Sequence, residues 1–414
     1  MTPCIRSCAA GALAALALAA PASAHKGVPT LEGRAVLPAE TYAPGPVSGT
    51  LIGPGPFNGI TPPFPSQPVQ GFSAVLDAGR GEFWAMPDNG YGAEENSKDF
   101  LLRVYRIAPN FETAKRGTRP TSSGSTGSGT IAVRGFIGLS DPGRQLPFAL
   151  ERGDRLLTGG DVDPESMRID RRGDFWFGDE FGPWLLHTDK RGRVLEPPVE
   201  LPGVASPQNP PVAPFNANPT LRRSQGFEGM AISPDRRTLY PMLEGALIAD
   251  PDQSRRFIHE YAIGSGYTGR SWQYRMEVAS NAIGDFTQVD RHRFVVIERD
   301  NEQGANALFK KIYLVDFRDA GRDGFLRKRL LVDLLHIADP HEISLPAEPG
   351  DIGLGRDFAF PFQTIEDVLP LGGKRLLVLD DNNFPFSSGR HPGRADPNEA
   401  IVIRVPGLRH AHDD

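Results

Sequence analysis

The chain is 414 residues long, 39% hydrophobic and 23% charged, a profile that excludes a disordered tail or a coiled coil. Its 45 Lys and Arg against 51 Asp and Glu give a formal net charge of -6, so the basic footprint of a nucleic-acid binder is missing and no such partner is expected. Gly (46) and Pro (39) make up about a fifth of the residues, too many for a helical protein and suited to short strands joined by turns.

The first segment reads as an address. Arg6 precedes an unbroken run of small apolar residues over 9–20, and Ala22-Ser23-Ala24 is a cleavage signal, so residues 1–24 are expected to be a secretory signal peptide. The run falls short of the ~20 residues needed to span a bilayer, and no later run is longer. Cleavage would leave a single domain over 25–414, periplasmic or secreted, without a membrane span and monomeric. Cys4 and Cys8 both lie in the removed segment, so no disulfide is expected.

Beyond residue 31 one pattern recurs: an acidic or small polar residue, a short strand, a tight turn, a second apolar strand, and an acidic cluster. The first copy runs from Ser73 through a turn at 77–81 and Phe83-Trp84 to Asp88-Asn89-Gly90. The second runs from Glu165 through 170–174 and Phe175-Trp176-Phe177 to Asp179-Glu180, and the third from Glu228 through 233–237 and 239–242 to Glu244. The fourth leads from Asp285 through 290–293 and 294–297 into Glu298-Arg299-Asp300-Asn301. The fifth leads from Glu366 through Gly372-Gly373 and 376–379 into Asp380-Asp381-Asn382-Asn383. In the four acidic copies the first acid precedes the second cluster by 14, 16, 13 and 14 residues.

A third strand follows each cluster, at 101–107, 184–188, 257–263, 312–317 and 400–405, and a fourth at 132–139, 274–277 and 329–334. The last unit lacks its fourth strand, and residues 34–37 are placed to supply it. These repeats specify an all-β protein, a β-propeller of four-stranded blades closed by an N-terminal strand. Five blades are counted, and 42–70 and 140–160 leave room for a sixth. The Gly/Ser/Thr-rich insertion at 118–130 and the Pro-rich stretches 41–68 and 196–219 read as surface connections. Phe83-Trp84 and Phe175-Trp176 read as core between blades.

In a propeller the innermost strands run along a central channel, so Glu165, Glu228, Asp285 and Glu366 are expected to form a ring. The ends of the next strands would add Asp88, Asp179, Glu180, Glu244, Glu298, Asp300, Asp380 and Asp381. So many carboxylates at one mouth repel one another unless cations neutralise them. Oxygen ligands without cysteine favour a hard ion, Ca²⁺ first and Mg²⁺ second. Some of these acids are expected instead to pair with Arg or accept backbone N–H groups. Arg299, inside its acidic cluster, reads either as a phosphate clamp or as an internal ion pair. Asn89, Asn382, Arg222 and Lys310 are further substrate-binding candidates. No G-x-S-x-G elbow, H-E-x-x-H helix or Walker loop is present. His187 reads as a packed side chain, and His410 and His412 in the tail as adventitious metal ligands.

The strings Asp163-Pro164-Glu165-Ser166, 175–182 (FWFGDEFG), Gly226-Phe227-Glu228-Gly229-Met230, Ile297-Glu298-Arg299 and Asp380-Asp381-Asn382-Asn383-Phe384 resemble, in order, the motifs of the phytase-like esterase domain (esterase-like activity of phytase) of exported bacterial proteins. The resemblance runs from about Gly71 to Phe386. It implies an acid-rich domain that hydrolyses phosphoesters, of the phosphodiesterase or phytase kind. Two departures stand out: Pro87-Asp88-Asn89-Gly90 where the family tends to have Ser-Asp-Asp, and Ser166 where Gly is usual. The expectation is an exported, calcium-dependent hydrolase of a small phosphoester, with Glu165, Glu228 and Arg299 at its catalytic centre. The alternatives are a calcium-dependent sugar lactonase, whose ligand set Asn89, Asn301 and Asn382 would suit, and a non-catalytic scaffold held together by calcium.

Overall fold

The computed structural model describes residues 27–114, 129–209 and 218–408. The expected signal peptide, most of the 118–130 insertion, part of the 196–219 loop and the histidines of the tail lie outside them. Among the described residues the regular structure is strand, apart from one 3₁₀ turn at Gly304–Asn306, and no helix is long and apolar enough to cross a membrane.

Strand β1 (Thr30–Leu37) alternates half-buried and buried residues along its length, as a strand packed on one face should. The short pair β2 (Tyr42–Ala43) and β3 (Gln67–Pro68) follows. The first blade is β4 (Phe72–Gly79), β5 (Glu82–Pro87), β6 (Arg103–Asn110) and β7 (Thr130–Gly138). The second is β8 (Pro164–Ile169), β9 (Phe175–Asp179), β10 (Trp184–Thr188) and β11 (Val199–Glu200). The third is β12 (Phe227–Ile232), β13 (Thr238–Leu243), β14 (Arg255–Ala262) and β15 (Gly266–Arg275), and the fourth β16 (Ala282–Gln288), β17 (Arg293–Arg299), β18 (Lys310–Ala320) and β19 (Leu326–Asp333). After the small pair β20 (Ile337–Ala338) and β21 (Asp357–Phe358), the fifth blade takes β22 (Thr364–Gly372), β23 (Arg375–Asp381) and β24 (Asn398–Arg404), with β1 as its outer strand.

The inner strands β4, β8, β12, β16 and β22 pack side by side in that order and β22 returns to β4, so the units close into a ring. The fastening is antiparallel pairing of β1 with β24, in register from Arg34 and Ile401 to Leu37 and Asn398, as the missing fourth strand required. Residues 42–70 and 140–160 form the β2–β3 pair and isolated bridges, not a further four-stranded unit. The fourth strand of the second blade, for which the sequence offered no candidate, is the short Val199–Glu200 after Pro197-Pro198, and one fourth strand differs from expectation. In the third, the Gly264–Gly266 turn sends the chain straight back along β14, so Gly266–Arg275 replaces 274–277.

Apolar clusters fill the gaps between blades. Trp84 meets Phe175 edge-on at 6.4 Å across the first gap, and Trp176 meets Tyr261 at 5.5 Å across the second. The Pro-rich segment before β4 is docked rather than solvated: Phe64 is 1% exposed and packs 4.9 Å from Phe384, and Asn58 Nδ2 donates to the Phe386 carbonyl at 2.7 Å.

Every inner strand carries one extra residue against its neighbour, between Phe72 and Ala74, Pro164 and Ser166, Phe227 and Met230, Ile283 and Asp285, and Ile365 and Asp367. These bulges make Ser73, Glu165, Glu228, Gly284 and Glu366 equivalent. In the fourth blade the equivalent residue is therefore Gly284 and not Asp285. A side chain at 284 is impossible without movement, because a Cβ there would lie 2.0 Å from the Ile365 carbonyl oxygen. Gly284→Ala is expected to destabilise the ring by about 3 kcal/mol through overpacking, read as a lowered urea midpoint; an unchanged midpoint would refute the close approach.

Candidate functional site

Side chains alternate faces along a strand, so only one residue of each adjacent pair can look into the channel. The bulge places Glu165, Glu228 and Glu366 toward the axis. At the ends of the second strands, Arg299 and Asp381 as last residues and Asp88, Glu180 and Glu244 one residue beyond, five more side chains face the same space. The true repeat distance is thereby more regular than that between the acidic clusters. Ser73 to Asp88, Glu165 to Glu180, Gly284 to Arg299 and Glu366 to Asp381 are each 15 residues apart, and Glu228 to Glu244 is 16. Together with Asp163 these residues line a cavity of about 310 Å³, with Asn89, Ser224, Asn301, Gln363, Thr364 and Asn383 among its other walls. Gly71 passes between two of the acids: a Cβ there would lie 3.0 Å from Asp381 Oδ1 and 3.1 Å from Asp88 Oδ1. Larger grooves, up to about 810 Å³, lie elsewhere and lack such a cluster of buried acids.

Among the described residues, eight carboxylates and one guanidinium line this cavity. Three triplets bring one oxygen from each member within 4.8 Å of the others: Asp88, Asp163 and Glu165; Glu165, Glu228 and Glu366; and Glu180, Glu228 and Glu244. Arg299 Nη2 bonds Glu366 Oε1 at 2.8 Å and lies 4.0 Å from Glu228, while Nη1 donates to Asn301 Oδ1 at 2.7 Å. Its Nε is buried without a hydrogen-bond partner. Ser73 Oγ donates to Glu366 Oε2 at 3.0 Å, and Asn89 Nδ2 to Asp163 Oδ2 at 2.8 Å.

Burial, then mutual repulsion, drives these carboxyls upward. Glu165, with Asp163 and Glu228 beside it, and Asp88, beside Asp381 and Asp163, lie well above the usual carboxylate range, as does Glu180. Glu228 is raised likewise by burial and by Glu244 and Glu366, with Arg299 opposing. Burial raises Asp163 to about 6, Glu244 to about 7 and Asp381 to about 8. Burial also raises Glu366, against the pull of Arg299. Arg299 loses solvation by burial, yet Glu366, Glu228 and Glu244 hold it above the ordinary guanidinium range. Without a counter-cation the ring stores protons that a divalent ion would displace.

The remaining candidates are placed outside the cavity, each bonded to its own surroundings. Asp179 accepts the N–H groups of Asp163 (2.8 Å) and Gly182 (2.6 Å). Asp285, one residue past the bulge, turns between blades to Arg168 Nη2 (3.4 Å), Thr287 Oγ1 (2.9 Å) and the Val368 N–H (3.0 Å). Glu298 takes Tyr274, Asn281, Lys328 and the Glu277 N–H. Asp300 pairs with Lys310 at 2.9 Å and accepts the N–H groups of Leu308 and Phe309. Lys310 also donates to the carbonyls of Asp300 and Gln363. Asp380 accepts the Glu399 N–H at 2.6 Å, and Asn382 ties Gly71 to Asp396. Arg222 is exposed and bonds Gln253. Asp163 went unassigned because it precedes its strand. The signal for it was the i, i+2 spacing of Asp163 and Glu165 around a proline.

Among relatives, an uncharacterized secreted protein of Arthroderma benhamiae is 26% identical over 294 residues, which cover 55% of this chain and 56% of that protein. The chain thus spans about half the length of the curated relative it matches. Among solved structures, a protein of unknown function from Dyadobacter fermentans has a TM-score of 0.39 at 10% identity, covering 91% of this chain and 98% of that one. The β-propeller domain of Myceliophteria thermophila Cps50 (Swd1) has a TM-score of 0.31 at 9% identity, covering 79% and 68%. The model of the phytase-like family, described as esterase-like activity of phytase, matches residues 67–384, a span that contains every residue lining the axial cavity, and the chain belongs to that family.

Proposed function

We propose that the chain is an exported hydrolase of small phosphoesters that works with a hard divalent cation, Ca²⁺ first and Mg²⁺ second, at the axial carboxylates. The observation that carries this reading is the excess of eight carboxylates, six of them buried and Asp88 and Glu244 half-buried, over one guanidinium among the described residues lining a cavity of about 310 Å³. An all-oxygen donor set without thiolate or imidazole fits such an ion. Glu165, Glu228 and Glu366 would hold it, with the Asp88 and Glu244 triplets on either side. When bound, the ion would neutralise substrate phosphate and acidify a water. The chain's own residues do the rest. Arg299, pinned by Glu366 and Asn301, offers the one positive group for a phosphate oxygen. A cavity of about 310 Å³ has room for a phosphoester group. The family match and the secreted relative support esterase chemistry and export.

A screen of phosphodiesters, phosphomonoesters and lactones, with and without chelator, tests the assignment. Cation-dependent turnover of a phosphoester is expected. Turnover confined to lactones would replace this reading with the lactonase, and none of any kind with the scaffold. Arg299→Lys keeps the charge but loses the fork, so phosphodiester turnover at saturating calcium is expected to fall about a hundredfold while calcium affinity holds. Parental turnover would discard the clamp.

A further inference from the structure

The far end of the second blade carries another set of ligand-type side chains. The turn between β8 and β9 brings Asp170 and Asp174 together, His187 on β10 reaches the same spot, and one ligand atom from each lies within 4.8 Å of the others. Asp170, 2% exposed, uses Oδ1 to accept the N–H groups of Arg172 (2.7 Å) and Asp174 (3.1 Å), which fixes the turn. Five residues of extended chain, about 16 Å, separate this turn from Glu165.

His187 is 9% exposed and its ring lies flat on Trp176, with centroids 4.0 Å apart. Its Nδ1 is 2.7 Å from Glu196 Oε1. An ionised carboxylate only accepts, so in the neutral ring Nδ1 carries the hydrogen and Nε2 presents its lone pair. That Nε2 is buried with no hydrogen-bond partner and looks at Asp174 Oδ2, 4.0 Å away. A lone pair facing a carboxylate makes a place for a cation, a metal ion or a proton, between them. Tetrahedral ligands each about 2.0–2.1 Å from zinc lie about 3.3 Å apart, so a bound ion would draw the 4.0 Å pair together by a little over half an ångström. The Glu196–His187 bond is the outer carboxylate that commonly orients a metal-binding imidazole.

We propose that Asp170, Asp174 and His187 form a site for a borderline divalent transition metal of the Zn²⁺ class, distinct from the axial mouth. The groove beside it, about 810 Å³, is lined by the exposed Arg171, Arg172, Arg236 and Arg237, which would favour an anion near the site.

Co²⁺ titration of the untagged full chain tests the site, followed by visible absorption in excess Ca²⁺ so that the axial acids are already occupied. One equivalent of Co²⁺ should give a visible band that Zn²⁺ displaces. His187→Gln and Asp174→Asn should each weaken it more than about tenfold, Glu196→Gln about tenfold, and Glu228→Gln not at all. The tail histidines are common to every variant, and Asp174→Asn, on a half-buried turn, keeps the test open should His187→Gln fail to fold. A band unchanged in folded His187→Gln or in Asp174→Asn, or one lost in Glu228→Gln, overturns the proposal. So does a His187 ring that is doubly protonated at neutral pH by NMR and insensitive to Zn²⁺.

Discussion

Glu228→Gln is expected to lower calcium affinity and phosphoester turnover by about a hundredfold or more, and Glu165→Gln to do nearly the same, since even residues one shell out from a metal cost 10–100-fold when changed. Both residues sit in the Glu165–Glu228–Glu366 triplet, and Glu228 also belongs to the triplet with Glu180 and Glu244. Gln keeps the shape and removes a charge. The effect on the fold should run the other way. With chelator present, the Gln variants should melt at or above the parent, because each removes one buried acid from a crowded ring. Binding curves and initial rates settle the first half, and melting in EDTA the second. Variants that bind calcium and turn over like the parent would mean that these two acids are structural.

The second large effect is on the pH dependence of stability. In the folded chain Asp163 titrates at about 6, Glu244 at about 7 and Asp381 at about 8, each raised first by burial. The unfolded chain releases these protons near pH 4. A raised folded value means that the folded state binds more protons, so the stabilisation is full below about pH 4 and is lost as pH climbs through the folded values. Each group in its window costs about 1.4 kcal/mol per pH unit. Chelated protein should therefore become markedly less stable from pH 5 to pH 8. Calcium, by favouring the ionised ring, should flatten or reverse that slope. Urea midpoints across this range, with and without calcium, check it; a chelated profile that rises toward pH 8 would contradict the burial of these acids.

The ring could be read from the sequence because each blade repeats an acid, a hairpin and a second acidic cluster, and a propeller turns such repeats into neighbours. What could not be read was which member of each pair faces inward. Asp179-Glu180 and Asp380-Asp381 are chemically alike, yet alternation sends Glu180 and Asp381 to the cavity and turns their neighbours to backbone N–H groups. Glu298-Arg299-Asp300 presents its central Arg and hides both acids. A bulge leaves no mark in composition, so Asp285 looked equivalent to Glu165 when Gly284 holds that place. The extra acid Asp163 and the wall Gln363 come from the residues just before β8 and β22, outside the repeated acid, hairpin and acidic cluster.

The central claim is that the axial carboxylates hold a divalent cation, and melting of the full chain at pH 7.5 in EDTA and in millimolar calcium tests it most directly. A ligand bound only by the folded state, at a hundredfold excess over its Kd, stabilises by about 2.7 kcal/mol. The account predicts a clear rise in Tm with calcium that Glu228→Gln loses; identical curves in EDTA and in calcium would contradict it.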